Sequence, residues 1–342
     1  MHSPSEERPR LLLVGLGGVG RSFLELLEER EVAVDVVGAV DSRGPLGGDG
    51  AAAADPRGDA LSPRDLLALK ADPARGELPH ISLDPIALVA RTAPDVVVDL
   101  TSCSFETGEP SLSLLRAGLA AGASVVTANK APLARAWTEL TRLAREHGGQ
   151  IGYASAAGAA LPAVAVAQAL GRADRIDAFE GVLTGTSSYV LAQVATGTPV
   201  AEAIADAQAA GIAEPDPTMD LGGWDTAAKL VILANTIWPA TLAIEELEVV
   251  GIDEQSVAGL EGAAIHLVGR AERAADGSVI ASVRPRGIPA GDPLAALEPG
   301  EKAVVLRGGG IGEVVLSGGR SSPRGAASAV LGDVLRILEV TA

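Results

Sequence analysis

Residues 10–21 read RLLLVGLGGVGR. A run of four apolar residues, Leu11 to Val14, passes straight into a turn with glycine at 15, 17, 18 and 20. A short apolar run without alternation is the pattern of a strand covered on both faces, as in a parallel sheet. Gly15-Leu16-Gly17-Gly18-Val19-Gly20 fits G-x-G-x-x-G, and SFLELLEER beyond it sets Phe23, Leu26 and Leu27 on one side of a helix. Between a strand and a helix this turn suits a dinucleotide. The first glycine permits the turn, the second admits the pyrophosphate, and the third lets helix and strand pack closely. Free N–H groups at the helix start then face the phosphates. Asp41 closes a second apolar strand, VAVDVVGAV at 32–40, and lies 21 residues after Gly20. An acid there can bind a ribose 2′-hydroxyl, which favours NAD. Arg43, two residues on, could take the 2′-phosphate of NADP. The choice between the two stays open.

Outward from this unit, strands and helices alternate. PDVVVDLT (94–101) reads as a third strand, SLSLLRAGLAAG as a helix ending at glycine, and ASVVTANK as a fourth strand. PLARAWTELTRLAREHGG is a helix with Leu133, Trp137, Leu140 and Ala144 at helical spacing, opened by Pro and closed by Gly-Gly. Residues 42–80, rich in Gly, Pro, Asp and Ala around the helix SPRDLLALK, read as a surface excursion. The alternation predicts a doubly wound α/β sheet of the Rossmann type. After QIGYAS the texture changes. An Ala-rich, Pro-interrupted helix spans 156–170, the strand RIDAFEGVLTG follows, and helices start near Ser187, span 200–211 and run through Lys229 to about Thr236. From 245 short strands are expected, among them IEELEVVGI and SVIASVRPRGI. The end of the chain returns to strand, glycine loop and helix.

At 342 residues the chain has room for two domains. A net charge of −17 gives no support to nucleic-acid or anionic-membrane binding, which need a basic surface. The single Cys103 rules out an internal disulfide framework. No segment approaches the roughly 20 apolar residues that cross a bilayer. The expectation is a cytoplasmic protein.

Lysine is scarce: Lys70, Lys130, Lys229 and Lys302 stand among 27 basic residues. Lys229 ends EPDPTMDLGGWDTAAK (214–229), where Asp225 precedes it by one helical turn and Glu214, Asp216 and Asp220 lie just upstream. A surface pair at this spacing would contribute only a few tenths of a kcal/mol. The next residues, LVILAN, however, carry the helix inward, and an amine at such a boundary needs a carboxylate to stay charged. An acidic rim can hold a substrate ammonium group, and a lysine can give and take a proton where arginine cannot. His2, His80, His147 and His266 sit in no such cluster, and no spacing resembles a transition-metal site. Cys103 has no evident histidine to activate it and reads as a small buried residue.

In order, GLGGVG, TANK (127–130), GVLTGTSSYVL (181–191), AEPDP…D…GWDTAAKL (213–230) and AASAVLGDVL resemble homoserine dehydrogenase over nearly the whole chain. The resemblance implies reversible NAD(P)H-dependent reduction of L-aspartate 4-semialdehyde to L-homoserine. By position, Lys229 resembles the catalytic lysine and Asp225 the acid that orients it. Glu214 and Asp220 resemble the carboxylates around the substrate's amino group and hydroxyl, and Lys130 the second active-site lysine beside the nicotinamide. Gly185 and Thr186 resemble the loop that receives the substrate carboxylate. Thr101 and Ser102 resemble the segment against the nicotinamide ribose. Gly15, Gly17, Gly18, Val19 and Gly20 carry the pyrophosphate in this reading, with Asp41 and Arg43 at the adenosine ribose.

The chain departs from the family in places. Thr184 and Ser188 stand where many members have Asn. Ala154 stands where the family usually has a Glu that helps hold a monovalent cation such as Na+ at the hinge, and Ala159 and Ala160 replace paired glycines. The cation site is therefore doubtful, with carbonyls near Ala157 and Ala159 as the remaining candidates. The chain ends after the return helix, so no regulatory domain and no threonine feedback through one are expected. The reading is a Rossmann-type dinucleotide-binding domain over 1–136 completed by 304–342. An inserted α+β catalytic and dimerisation domain occupies 137–303 and pairs its sheet across a homodimer or higher oligomer. The alternatives are an NAD(P)-dependent enzyme acting on another small amino acid or aldehyde, and a non-catalytic NAD(P)-binding protein.

Overall fold

The computed structural model describes residues 8–46, 61–72, 84–238, 242–319 and 321–341. His2, His80 and part of the 42–80 excursion lie outside these. The chain divides into two compact units, Met1–Ala156 with Ser322–Ala342, and Ala157–Ser321. The sequence reading drew its lines at 136 and 304.

In the first unit β1 (Arg10–Val14), α1 (Gly18–Glu29), β2 (Asp35–Asp41) and β3 (Gly44–Pro45) come first. They are followed by α2 (Pro63–Ala71), α3 (Pro85–Thr92), β4 (Val96–Asp99), α4 (Ser111–Ala120), β5 (Ser124–Thr127), α5 (Ala131–His147) and β6 (Ile151–Gly152). The sheet order is β3-β2-β1-β4-β5-β6. All pairings are parallel except the short edge strand β3. The apolar runs of β1 and β4 are buried almost throughout, as strands between two helical layers must be. From β1 the chain turns to β2 on one side and β4 on the other. That reversal is the switch point where an open α/β sheet binds its ligand. Register places Val14 beside Asp99 and Asp99 beside Thr127, so the loops after β1, β4 and β5 leave the sheet at one edge.

The short helix α6 (Ala154–Gly158) leads out of the first unit. In the second lie α7 (Ala163–Ala173), β7 (Ala178–Val182), α8 (Gly185–Val194), α9 (Val200–Ala209), α10 (Thr218–Leu221) and α11 (Trp224–Ile237). Then come β8 (Glu248–Val249), α12 (Glu254–Val257), β9 (Ala264–Arg273), β10 (Val279–Ile288), β11 (Lys302–Gly308) and β12 (Gly312–Gly318), before α13 (Pro323–Thr341) rejoins the first unit against α1. The second sheet runs β12-β11-β7-β9-β10-β8. Because β11 pairs with β7, residues 302–318 belong to this sheet. Helices α8 and α11 cover one face. Over Gly269 of β9 a Cβ would come within 3.1 Å of Thr226 and 3.3 Å of Leu230, so glycine lets α11 lie close to the strand. Val182, Val268, Ile288, Leu294, Ala303 and Val305 form a second small core.

Two expectations are corrected. The strands after 245 are not uniformly short: β9 and β10 form a ten-residue antiparallel pair, while IEELEVVGI holds a 3₁₀ turn at Ile244–Glu246 and a two-residue strand. The helix expected at 156–170 is two helices, because Ala159 takes a positive φ of 51° and Pro162 has no N–H to continue the ladder.

Candidate active site

In the first unit the candidate residues begin at the glycine turn. Gly15 has a φ of +99°, and a Cβ there would fall 2.3 Å from the Leu100 carbonyl. At Gly20 a Cβ would lie 2.3 Å from the Gly15 carbonyl oxygen. Only glycine fits at either position. At Gly17, which precedes α1, nothing lies within 4 Å of where a Cβ would be. Open space over a bare helix N-terminus is where a phosphate can reach backbone N–H groups. Beside it is a cavity of about 470 Å³, whose lining includes Gly15, Gly17, Asp41, Lys70, Thr101 and Ser102. These residues fit a dinucleotide.

Asp41, at the end of β2, is 5% exposed. Its carboxylate accepts from the Arg43 backbone N–H at 2.8 Å and pairs with the Lys70 ammonium. Lys70 is delivered by α2, which starts at the Ser62 cap and is anchored by the buried Leu66. The sequence reading considered Arg43 as the cation here and passed over Lys70, because the excursion was read as surface.

A second omission lies one strand away. Asp99, fully buried at the end of β4, accepts from Thr101 Oγ1 at 2.7 Å, Thr127 Oγ1 at 2.8 Å and Asn129 Nδ2 at 2.9 Å, and also from the Ser111 hydroxyl. The Thr127 hydroxyl in turn accepts from the Asn129 backbone N–H at 2.9 Å. One carboxylate thus fixes the Thr101–Ser102 wall and the turn carrying Lys130, which immediately precedes α5. An acid ending an otherwise all-apolar strand, VVVD, was the available signal. Burial, followed by the Asp99 charge, pushes the Cys103 thiol up to about 11. It stays protonated near neutrality and is no nucleophile there.

A second group of candidate residues lies within the second unit. Gly223, with a φ of +84°, breaks the chain before α11 and sets Asp225 in its first turn. One turn on, the Lys229 ammonium pairs with Asp225 Oδ2 at 2.5 Å and donates to the Leu183 carbonyl at 2.7 Å. Both side chains are 14% exposed, so this is a pair at the edge of the interior rather than a solvated one. Thr184 donates to Asp225 Oδ2 at 3.0 Å and shares a hydrogen bond with the buried Thr226 at 3.0 Å. The segment 183–184 therefore grips both members of the pair just before Gly185 and Thr186 open α8. Gly185 is tightly backed, since a Cβ would meet the Gly300 carbonyl at 3.2 Å. Thr186 donates to the Ile212 carbonyl at 3.4 Å. Glu214 is exposed and Asp220 partly so, the latter in the one-turn helix α10 that packs on α11. Asp216 is committed elsewhere: it caps the Thr218 N–H and hydroxyl, and those bonds hold its carboxyl below the ordinary range.

The residues at the expected cation site do not suit an alkali ion. Ala154 offers no carboxylate. The Gly158 carbonyl, lying between those of Ala157 and Ala159, already accepts from the Leu161 N–H and the Lys302 ammonium, both at 3.1 Å.

A glycine-turn doubly wound sheet, together with an acid-held lysine on a separate α+β unit, defines an NAD(P)-dependent oxidoreductase acting on a CH–OH group. Residues 162–335 match the family model for homoserine dehydrogenase, and 15–154 match that for its NAD-binding domain. The chain belongs to the homoserine dehydrogenase family. It is 34% identical to the NAD(+)-dependent homoserine dehydrogenase of Pseudomonas canavaninivorans over 96% of both chains. It is 31% identical to the homoserine dehydrogenase of Methanocaldococcus jannaschii over 97% of this chain and 99% of that one. Among solved structures, a hyperthermophilic archaeal homoserine dehydrogenase in complex with NADPH superposes with a TM-score of 0.81 at 26% identity, covering 97% of this chain and 98% of that one. The Thermoplasma acidophilum enzyme gives 0.82 at 27% identity, over 97% and 99%.

Proposed function

We propose that Lys229 is the proton donor in the reduction of L-aspartate 4-semialdehyde to L-homoserine. The bound nicotinamide supplies the hydride. Lys229 gives its proton to the carbonyl oxygen as the hydride reaches the carbon, and takes it back when homoserine is oxidised. The single observation that carries this reading is the Lys229 ammonium, held by Asp225 and the Leu183 carbonyl while still partly exposed. Asp225 keeps that amine charged and aimed. Glu214 and Asp220 receive the substrate's amino group and hydroxyl, and the N–H groups of Gly185 and Thr186 receive its carboxylate. Gly15, Gly17, Gly18, Val19 and Gly20 hold the pyrophosphate. Thr101 and Ser102 line the nicotinamide ribose, with Lys130 beside the ring.

Asp41 suits the 2′-hydroxyl of NAD, and the paired Lys70 offers a 2′-phosphate its cation, which supports use of both dinucleotides. We further place the enzyme in the cytoplasm as a homodimer or higher homo-oligomer. The exposed Ile280 on β10 and Val315 on β12 offer apolar surface for pairing. Among the described residues no helix is long and apolar enough to cross a membrane.

The test is to mix the protein with L-homoserine and either NAD+ or NADP+ and follow the absorbance of the reduced cofactor. Homoserine-dependent turnover with at least one of them is expected. Binding of either dinucleotide with no turnover would overturn the assignment.

A further inference from the structure

Lys302 opens β11 and is 2% exposed, yet it carries an ammonium group. One of its acceptors is the last carbonyl of α6, that of Gly158, at 3.1 Å. Burying a charge is costly unless polar partners replace the lost water. The local structure supplies such a partner by design of the chain path. Ala159 turns into the left-handed region, so α6 ends and leaves the Gly158 carbonyl without a helical N–H to continue the ladder. The Leu161 N–H takes one lone pair of that oxygen at 3.1 Å and Lys302 takes the other. Across the ladder Lys302 faces Gly318, which puts no side chain beside it. The adjacent Gly319 lets the second strand close on the loop: a Cβ there would sit 2.9 Å from the Leu161 nitrogen. Loop 158–161 is thus packed against the glycine-bearing end of β12, with a lysine from the start of β11 reaching in at its carbonyl.

This is the loop that resembles the family's cation-binding segment, and the candidate carbonyls of Ala157 and Ala159 flank the Gly158 oxygen that the ammonium takes. Both lone pairs of that oxygen are already engaged. A fixed ammonium also repels a second positive charge at close range, and Ala154 brings no carboxylate to offset it. We propose that Lys302 is the resident cation of this loop: a covalently attached ammonium takes the place of a bound monovalent ion, so that the protein needs neither Na+ nor K+ to fold or to turn over.

The test uses the purified full-length protein in choline chloride, titrated with NaCl or KCl at constant ionic strength. The wild type should melt within about 1 °C of the same midpoint throughout, since a ligand that does not bind cannot shift it, and its turnover should stay flat. Lys302→Met, similar in length but uncharged, should melt roughly 4–10 °C lower, as loss of a charge-assisted bond to a buried carbonyl implies for a chain of this size. Its midpoint should then rise saturably with Na+ or K+ but not with choline. A saturable cation-dependent shift in the wild type would overturn the proposal, and so would a Lys302→Met protein that no alkali ion restores. Melting reads the site directly, so a failure here is distinct from a failure of the catalytic assignment. Should Lys302→Met not fold, the wild-type titration still decides.

Discussion

In the proposed reading, Lys70 and Asp41 are the residues on which cofactor choice turns. A carboxylate at the end of β2 repels a 2′-phosphate, and the ammonium beside it offsets that repulsion. Neither charge can be altered without changing the balance. Lys70→Ala leaves Asp41 without its ammonium partner at the cavity wall, so NADP+ affinity should fall about tenfold, the scale of one lost charge-assisted bond. NAD+ affinity should change far less. Competitive binding of the two dinucleotides, read by quenching of protein fluorescence, checks this; equal losses for both would show that Lys70 serves only to hold α2. The buried Asp99 is a positioning group of another kind. It gathers the hydroxyls and amide that set the ends of β4 and β5.

At the scale of elements, the candidate residues of each unit depend on a helix start that glycine makes possible. In the first unit the turn into α1 closes on its own backbone at Gly20. In the second, Gly223 adopts a left-handed conformation and sits where a Cβ would come 3.1 Å from Val249 and 3.2 Å from Val283. Gly223→Ala should therefore strain the entry to α11, costing on the order of 1–3 kcal/mol. It should also displace Asp225 and Lys229 from Thr184 and the Leu183 carbonyl. The expected result is a kcat lowered by at least about tenfold, given the steep dependence of rate on such geometry, with dinucleotide affinity unchanged because the glycine turn is on the other unit. Steady-state kinetics paired with a cofactor titration separates the two effects. Loss of cofactor binding along with kcat would contradict it.

For the molecule as a whole, the sequence made legible whatever repeats a strong local pattern. The β1 run, its glycine turn and the alternating strands and helices through α5 were readable because burial on both faces and helical spacing leave marks on single segments. Lys229 and Asp225 were readable because one helical turn joins them. Other features depend on partners far away in the chain. Lys70 meets Asp41 across 29 residues, and Thr127 and Asn129 meet Asp99 across 28 and 30. Lys302 meets Gly158 across 144, and no local pattern announces such a pairing. The pairing of β11 with β7 escaped for the same reason, so 304–318 was assigned to the dinucleotide-binding domain. The long β9 strand was missed because His266, Arg270 and Arg273 interrupt its apolar pattern. His266 is in fact buried, and that burial, opposed by its bond to the Leu294 carbonyl, keeps its pKa below the usual value.

The central claim is that one amine, on a unit separate from the glycine turn, moves the proton that accompanies hydride transfer. Lys229→Met tests it most directly, with kcat for homoserine oxidation and dinucleotide affinity measured on the same preparation. A fall in kcat of about 10²–10⁴-fold, the usual worth of a positioned acid–base group, with the cofactor dissociation constant unchanged is the predicted result. A variant that turns homoserine over at the wild-type rate would contradict the account.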